Sequence, residues 1–216
     1  IKVSLAANPS HLEAVDPVMV GIARAKDEQT GLEYGGTIEF EADTNRTDNT
    51  DETWVFVRGG FGEVRLGDQD GAAAFSGMAV SAATIAAGTG GLDGTQVDTY
   101  VTKAYEPLGT SDATKIFYYT PTMAGFQFGA SYTPQLDGID SGANNGDALA
   151  TTDVEAQNVV EGAIVFEDEL GEIGTTLGVS GLLGEIKDEA TFGGDDWWAL
   201  QGGAVLELFG FSLAGS

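Results

Sequence analysis

The sequence predicts an all-β protein: an antiparallel transmembrane β-barrel, partial as it stands, behind a short N-terminal segment of different character. Three observations carry this. Lys115 to Thr133, KIFYYTPTMAGFQFGASYT, reads as two short strands around a turn at Pro121 to Gly125. After the turn Phe126, Phe128, Ala130 and Tyr132 alternate with Gln127, Gly129 and Ser131, and a period of two is the strand period. The apolar face of that strand is aromatic and the opposite face small and polar, the inversion that a barrel with lipid outside and water inside requires. Short glycine turns also recur at Gly62, Gly125, Gly171 and Gly210. An alternating strand follows each of them and long polar loops lie between, the two-rim topology of a membrane barrel.

Composition bounds the rest. The chain has 216 residues, 32 of them glycine and none cysteine, with Asp+Glu 34 against Lys+Arg 9 and a formal charge of -25. Without cysteine there are no disulfides and no thiolate metal sites. Such an acidic chain repels nucleic acid and anionic membrane surfaces, so both partner classes are set aside. Mean hydropathy is -0.03, and no run of about 18 apolar residues predicts a transmembrane helix. Barrel strands of about 10 half-polar residues escape such averages. The N-terminus lacks a basic, then apolar, then small-residue leader pattern. The expectation is that a leader was removed or that the chain is not a complete natural product.

In order, Val3 to Ala6 predicts a strand. Ser10 with Glu13 reads as a capping box and Asp16-Pro17 as a second helix start, with Val18, Ile22 and Ala25 as the helical stripe. From Gly31 the pattern changes. Tyr34, Gly36, Ile38, Phe40 and Ala42 share one face, and Glu33, Gly35, Thr37, Glu39 and Glu41 the other. Three carboxylates on one strand face suit a water-filled lumen and would be ruinous in a packed core. A polar tip at Asp43 to Asp51 leads to strands at Glu52 to Arg58 and Glu63 to Gly67, which turn at Gly59 to Gly62. Residues 68–112, rich in Gly, Ala, Thr and Asp, predict a long functional loop, with a short helix expected at Met78 to Ala87. A second loop is expected at Pro134 to Gln157. Strands then follow around Val160 to Phe166, Ile173 to Val179 and Trp197 to Leu208, with a loop at Leu183 to Asp196 and a last strand through Phe211 and Leu213.

At the central hairpin the residues become recognisable. Tyr118-x-x-Pro121, then Ala124-Gly-Phe-Gln-Phe-Gly-Ala-Ser-Tyr132, resembles Gram-negative general porins of the acidic alphaproteobacterial kind. Gly59-Gly-Phe-Gly-Glu-Val-Arg-Leu-Gly-Asp68 is similar to another stretch of that family. The resemblance runs from about Thr30 to Ser216. It implies a trimeric outer-membrane barrel, typically of 16 strands, of which about nine fall in this span. It also implies outer-membrane lipid and small hydrophilic solutes and ions as partners, no cofactor, and an inward-folding third loop at about 68–112. Residues 1–29 read as a separate segment. Asn8-Pro-Ser-His-Leu-Glu-Ala-Val-Asp-Pro-Val18 and Gly21-Ile-Ala-Arg-Ala-Lys26 resemble an internal piece of the thiamine-diphosphate-dependent E1 component of 2-oxoglutarate dehydrogenase. That resemblance implies a dicarboxylate-recognising role for His11, against its reading as a surface histidine in a first helical turn. The family's GDG…N cofactor motif is nowhere in the chain, so catalysis does not carry over. The abrupt change between Lys26 and Glu33 predicts a fusion.

No catalytic constellation is present, and the metal and catalytic assignments are none. The Gly88 to Gly91 run lacks the spacing and lysine of a phosphate loop. Asp68-Gln69-Asp70-Gly71 hints at a calcium loop without the later ligands and reads as a loop-entry turn. The functional candidates are Asp68, Asp70, Asp93, Asp98, Glu106 and Asp112. On an inward loop facing Arg58 or Arg65 they set a transverse field and a cation preference; as solvated loop residues they set neither. Glu33, Glu39, Glu41 and Glu63 are the lumen-facing candidates. Trp54, Trp197, Trp198, Tyr118, Tyr119 and Tyr132 are either interface girdles or packing residues. Two other readings stay open: an E1 fragment that binds thiamine diphosphate, and a soluble acidic β-rich domain or secreted adhesin.

Overall fold

The computed structural model describes residues 2–7, 18–41, 50–73, 109–110, 112–136, 156–187 and 196–215. These form one 11-stranded antiparallel sheet in which every strand pairs with the next in sequence. The strands are β1 (Lys2–Ala7), β2 (Val18–Lys26), β3 (Glu33–Glu41), β4 (Thr50–Gly59), β5 (Gly62–Asp68), β6 (Thr114–Tyr119), β7 (Phe126–Leu136), β8 (Ala156–Leu170), β9 (Ile173–Ile186), β10 (Asp196–Leu208) and β11 (Phe211–Gly215). Strands β1 and β11 are the two edges, so among the described residues the sheet is open rather than closed. No helix occurs there either.

Register gives each face its chemistry. Ile38 lies opposite Gly21 and Thr53, Val64 opposite Val57 and Tyr118, and Ile164 opposite Phe128 and Val179. This outer face is apolar and solvent-accessible: Ile164 is 46% and Phe128 41% exposed. A soluble sheet would cover such a surface; a lipid-facing one leaves it bare. The inner face carries Glu33, Thr37, Arg58, Glu63, Arg65, Lys115, Ser131, Thr133 and Glu161, and nearly all of these are buried or half-buried. The anticipated girdle splits accordingly. Trp198, Tyr118 and Tyr132 are on the outer face, whereas Trp54 and Tyr119 turn inward beside Arg65.

The expected helix at Val18 to Ala25 is instead β2, all nine of whose residues pair with β3. Spacings of four and three from Val18 fit a helical stripe, but Val18, Val20 and Ile22 also fit a period of two. Branched side chains favour the strand once a partner edge is available. The cap residues at 8–17, His11 among them, lie outside the described residues, as does the helix expected at Met78 to Ala87. The strands also run further than expected into two predicted loops: β7 continues through Pro134 to Leu136, and β9 to Ile186. Pro134 has no N–H for the ladder; opposite it β8 carries Asn158 at φ 54, where the pairing of β8 with β9, on its other side, shifts register between Gln157 and Val160.

The connections alternate along the meander. Those at Asp27–Leu32, Gly60–Phe61, Thr120–Gly125, Gly171–Glu172 and Phe209–Gly210 are short and share one rim, while all those on the opposite rim are longer. The anticipated junction between Lys26 and Glu33 is a turn closed by Asp27. Its carboxylate accepts the Thr30 hydroxyl at 2.7 Å and the Gln29 N–H at 2.9 Å. These two bonds, the Thr30 one foremost, hold the exposed Asp27 carboxyl below its usual range. A lowered folded value means that the turn gains stability above the unfolded pKa and loses it as pH falls through the folded one. Carboxyl carbon shifts titrated by NMR in micelles should place Asp27 below an exposed aspartate; an ordinary midpoint would show that the turn bonds do not form.

Candidate functional site: the inner face and the roots of the 69–112 segment

Two charged groupings occupy opposite ends of the inner face. The first lies near the short-turn rim, where pairing sets Glu33 beside Arg58, Arg58 beside Glu63 and Glu63 beside Tyr119. Arg58 bonds Glu33 and reaches Glu63 at 3.5 Å, Arg24 approaches Glu33 at 3.6 Å, and Arg65 donates to Glu63 at 2.6 Å. The Arg65 guanidinium also lies 5.2 Å from the Trp54 ring and 5.3 Å from that of Tyr119, whose hydroxyl it meets at 3.2 Å. Packing between aromatic rings fixes a charge that would otherwise sample many rotamers. A cavity of about 350 Å³ opens here, lined by Lys26, Glu33, Arg58, Glu63, Tyr119 and Gln127 among others.

The second grouping lies where the 69–112 segment leaves and rejoins the wall. Carboxylate oxygens of Glu52, Asp70 and Asp112 lie within 4.8 Å of one another, and the Asp70 N–H donates to Glu52 at 3.0 Å. Three oxygen donors at one point suit a hard cation, but a counter-charge is already there. Lys115, 1% exposed, donates to the Gln69 carbonyl and lies within electrostatic reach of Glu52, Asp70, Asp112 and Glu161. Asp68 accepts the Thr114 hydroxyl across the β5–β6 pair.

From this end the chain runs inward across the polar face. The Ala72 N–H donates to Ser131 on β7 at 2.9 Å, and the Ala73 carbonyl accepts Ser180 of β9 at 3.1 Å and Gln201 of β10 at 2.7 Å. On the returning side the Thr110 N–H donates to Glu161 on β8 at 2.9 Å. Apolar contacts accompany these bonds: Ala72 packs with Phe117, Ala163 and Val165, and Ala113 lies against Leu136, Ala156, Val159 and Leu182. Both roots of the segment therefore lie on the inner face.

The sequence candidates divide by these contacts. Glu33, Glu63, Arg58 and Arg65 come together, as do Asp70 and Asp112, the latter pair around Glu52. The carboxylates that meet Arg58 and Arg65 are Glu33 and Glu63 of the wall itself, at the end away from Glu52. Glu39 shares the inner face with Thr37, and the Glu41 backbone pairs with Val18. Asp93, Asp98 and Glu106 lie outside the described residues. Sequence reasoning missed Glu52, Lys115, Ser131 and Glu161. The available signal for Glu161 was a carboxylate that alternates onto the same strand face as Ala163 and Val165.

The curated protein "2-oxoglutarate dehydrogenase E1/E2 component" of Corynebacterium glutamicum is 79% identical over 28 residues, 13% of this chain and 2% of that protein. "Multifunctional 2-oxoglutarate metabolism enzyme" of Mycobacterium sp. strain JLS is 75% identical over 37 residues, 17% of the chain and 3% of its own length. The chain thus spans only a few hundredths of these relatives. The Gram-negative porin family model matches residues 14–216, taking in β2 as well as everything downstream. With an alternating sheet, a bare apolar face and that match, the chain belongs to the Gram-negative porin family.

Proposed function

We propose that this chain lines a general-diffusion channel for small hydrophilic solutes and ions, with a preference for cations and no catalytic chemistry of its own. As a Gram-negative porin it resides in the outer membrane. The observation that carries the channel reading is the opposition of the two faces: bare and apolar outside, polar and carboxylate-bearing inside, with the 69–112 roots laid across the polar side. Those roots support the segment as the narrowing element, and Asp70 and Asp112 as acids at its base, whereas Asp68, opposite Thr53 and Thr114, keeps the register of the outer face. Cation preference follows from the excess of acid over base, Asp+Glu 34 against Lys+Arg 9, in a lumen where fixed charge selects counter-ions. Homotrimeric assembly is part of the proposal, and chemical cross-linking in detergent tests it.

The N-terminal segment resembles part of a 2-oxoglutarate-metabolising enzyme, yet we assign it no thiamine-diphosphate chemistry, because the GDG…N motif is missing from the sequence. We infer that residues 1–29, whose second half also falls within the porin match, supply β1 and β2 to the sheet rather than an active site.

Planar-bilayer recording under a salt gradient tests the channel. The reversal potential should have the sign for cations. Replacing Glu33 and Glu63 together by glutamine should lower the cation-to-anion permeability ratio about twofold, since fixed lumen charges act directly on permeant ions. An anion-selective or non-conducting chain would overturn the reading.

A further inference from the structure

We propose that Glu161 is a positioning residue that fastens both roots of the 69–112 segment to the barrel wall at a single carboxylate. Its two oxygens serve different roots. Oε1 accepts the Thr110 N–H at 2.9 Å, and Oε2 accepts the Ser131 hydroxyl at 2.5 Å; the same Ser131 oxygen in turn accepts the Ala72 N–H at 2.9 Å. One side chain thus holds residues 72 and 110, between which the chain makes its whole excursion. Glu161 is 1% and Ser131 4% exposed, so water does not compete for these bonds, and charge-assisted bonds are the stronger kind. The Thr133 hydroxyl meets that of Thr110 at 3.2 Å and braces the same point.

Gly71 supplies an independent sign of this role. Any Cβ added there would overlap the Glu161 carboxylate. The carboxylate cannot swing aside without releasing Thr110 and Ser131, so the fastening explains why residue 71 carries no side chain. The inference rests on the reading of 69–112 as the narrowing element only for its effect on conductance; the fastening itself stands on the bonds.

Lys103 is the one lysine or arginine between Ala73 and Thr110, and Arg46 lies in a different connection. Trypsin cleavage of the full chain in micelles, measured by mass spectrometry as the rate at Lys103 relative to Arg46, reads the fastening directly. Glu161→Ala should raise that ratio about tenfold, as a lost charged hydrogen bond implies. Glu161→Gln, which keeps the shape but not the charge, should raise it less. Gly71→Ala should raise it in the native background and add nothing to Glu161→Ala, because the two act at one contact. An unchanged ratio in Glu161→Ala, or additive effects of the pair, would overturn the proposal. If the ratio rises while bilayer conductance stays the same, the fastening stands and the segment is not the narrowing element.

Discussion

Ile164→Lys is expected to remove about 2–4 kcal/mol of stability in a lipid bilayer, whereas Leu170→Lys on the same strand should remove about 0–1, the depth dependence of a cation on the lipid face of a barrel. Both residues are apolar and exposed, Ile164 at 46% and Leu170 at 56%, so in a soluble sheet the two changes would be equally mild. Their depth separates them. Ile164 sits near the middle of the 15-residue β8, with Phe128 and Val179 as its cross-strand neighbours, while Leu170 is the last residue before the short turn. A lysine at position 164 has hydrocarbon on every side and no near rim for its ammonium to reach; at position 170 the headgroup region is within its stem. Urea unfolding of the chain from phospholipid vesicles measures both. Equal small losses would mean that the apolar face does not meet lipid, and the soluble-domain alternative would then be the better account.

That face was the most legible feature of the sequence, because strand alternation is local. Tyr34 to Ala42 and Phe126 to Tyr132 declare their faces with no knowledge of any neighbour, and the turn glycines declare the rims. Where two periods compete, local pattern fails. Val18 to Lys26 satisfied a helical stripe as well as alternation, and the decision belonged to the β3 edge, which pairs Val18 with Glu41 at one end of the ladder and Lys26 with Glu33 at the other. Trp54 was open between a girdle and a packing role, and only register decides between them. Aromatic residues suit an interfacial belt, but this one lies opposite Gly67 and Thr37 on the inner face, where it packs on Arg65. The charged site was half legible. Glu63 and Arg65 alternate with Val64 and Leu66 and so could be assigned a common face. The bond from Arg58 to Glu33, and the convergence of Ala72, Thr110 and Ser131 on Glu161, depend on strand register and on contacts across tens of residues that no local pattern encodes.

Register is also where a single backbone position has its largest expected effect. Gly62 opens β5 with φ +109, and a Cβ there would overlap the Tyr119 carbonyl oxygen and crowd Thr120. Gly171, the first residue of the turn between β8 and β9, has φ +74 and nothing within 4 Å of such a Cβ. Both positions disfavour an L side chain, but only Gly62 adds a collision with backbone that cannot move without breaking the β5–β6 ladder. Gly171→Ala should therefore cost about 1 kcal/mol, the ordinary penalty of a left-handed residue. Gly62→Ala should cost about 3 kcal/mol or more, with strain and collision combined. The consequence reaches the charged wall. Glu63 and Arg65 follow directly, and a one-residue slip of β5 would turn both toward lipid and bring Val64 and Leu66 inside. Gly62→Ala should consequently disturb ion selectivity as well as stability, while Gly171→Ala leaves selectivity untouched. Unfolding free energies and reversal potentials measured on the two variants decide it. Equal costs at the two glycines would show that the Tyr119 carbonyl yields, and that the turn does not set the register of the arginine–glutamate cluster.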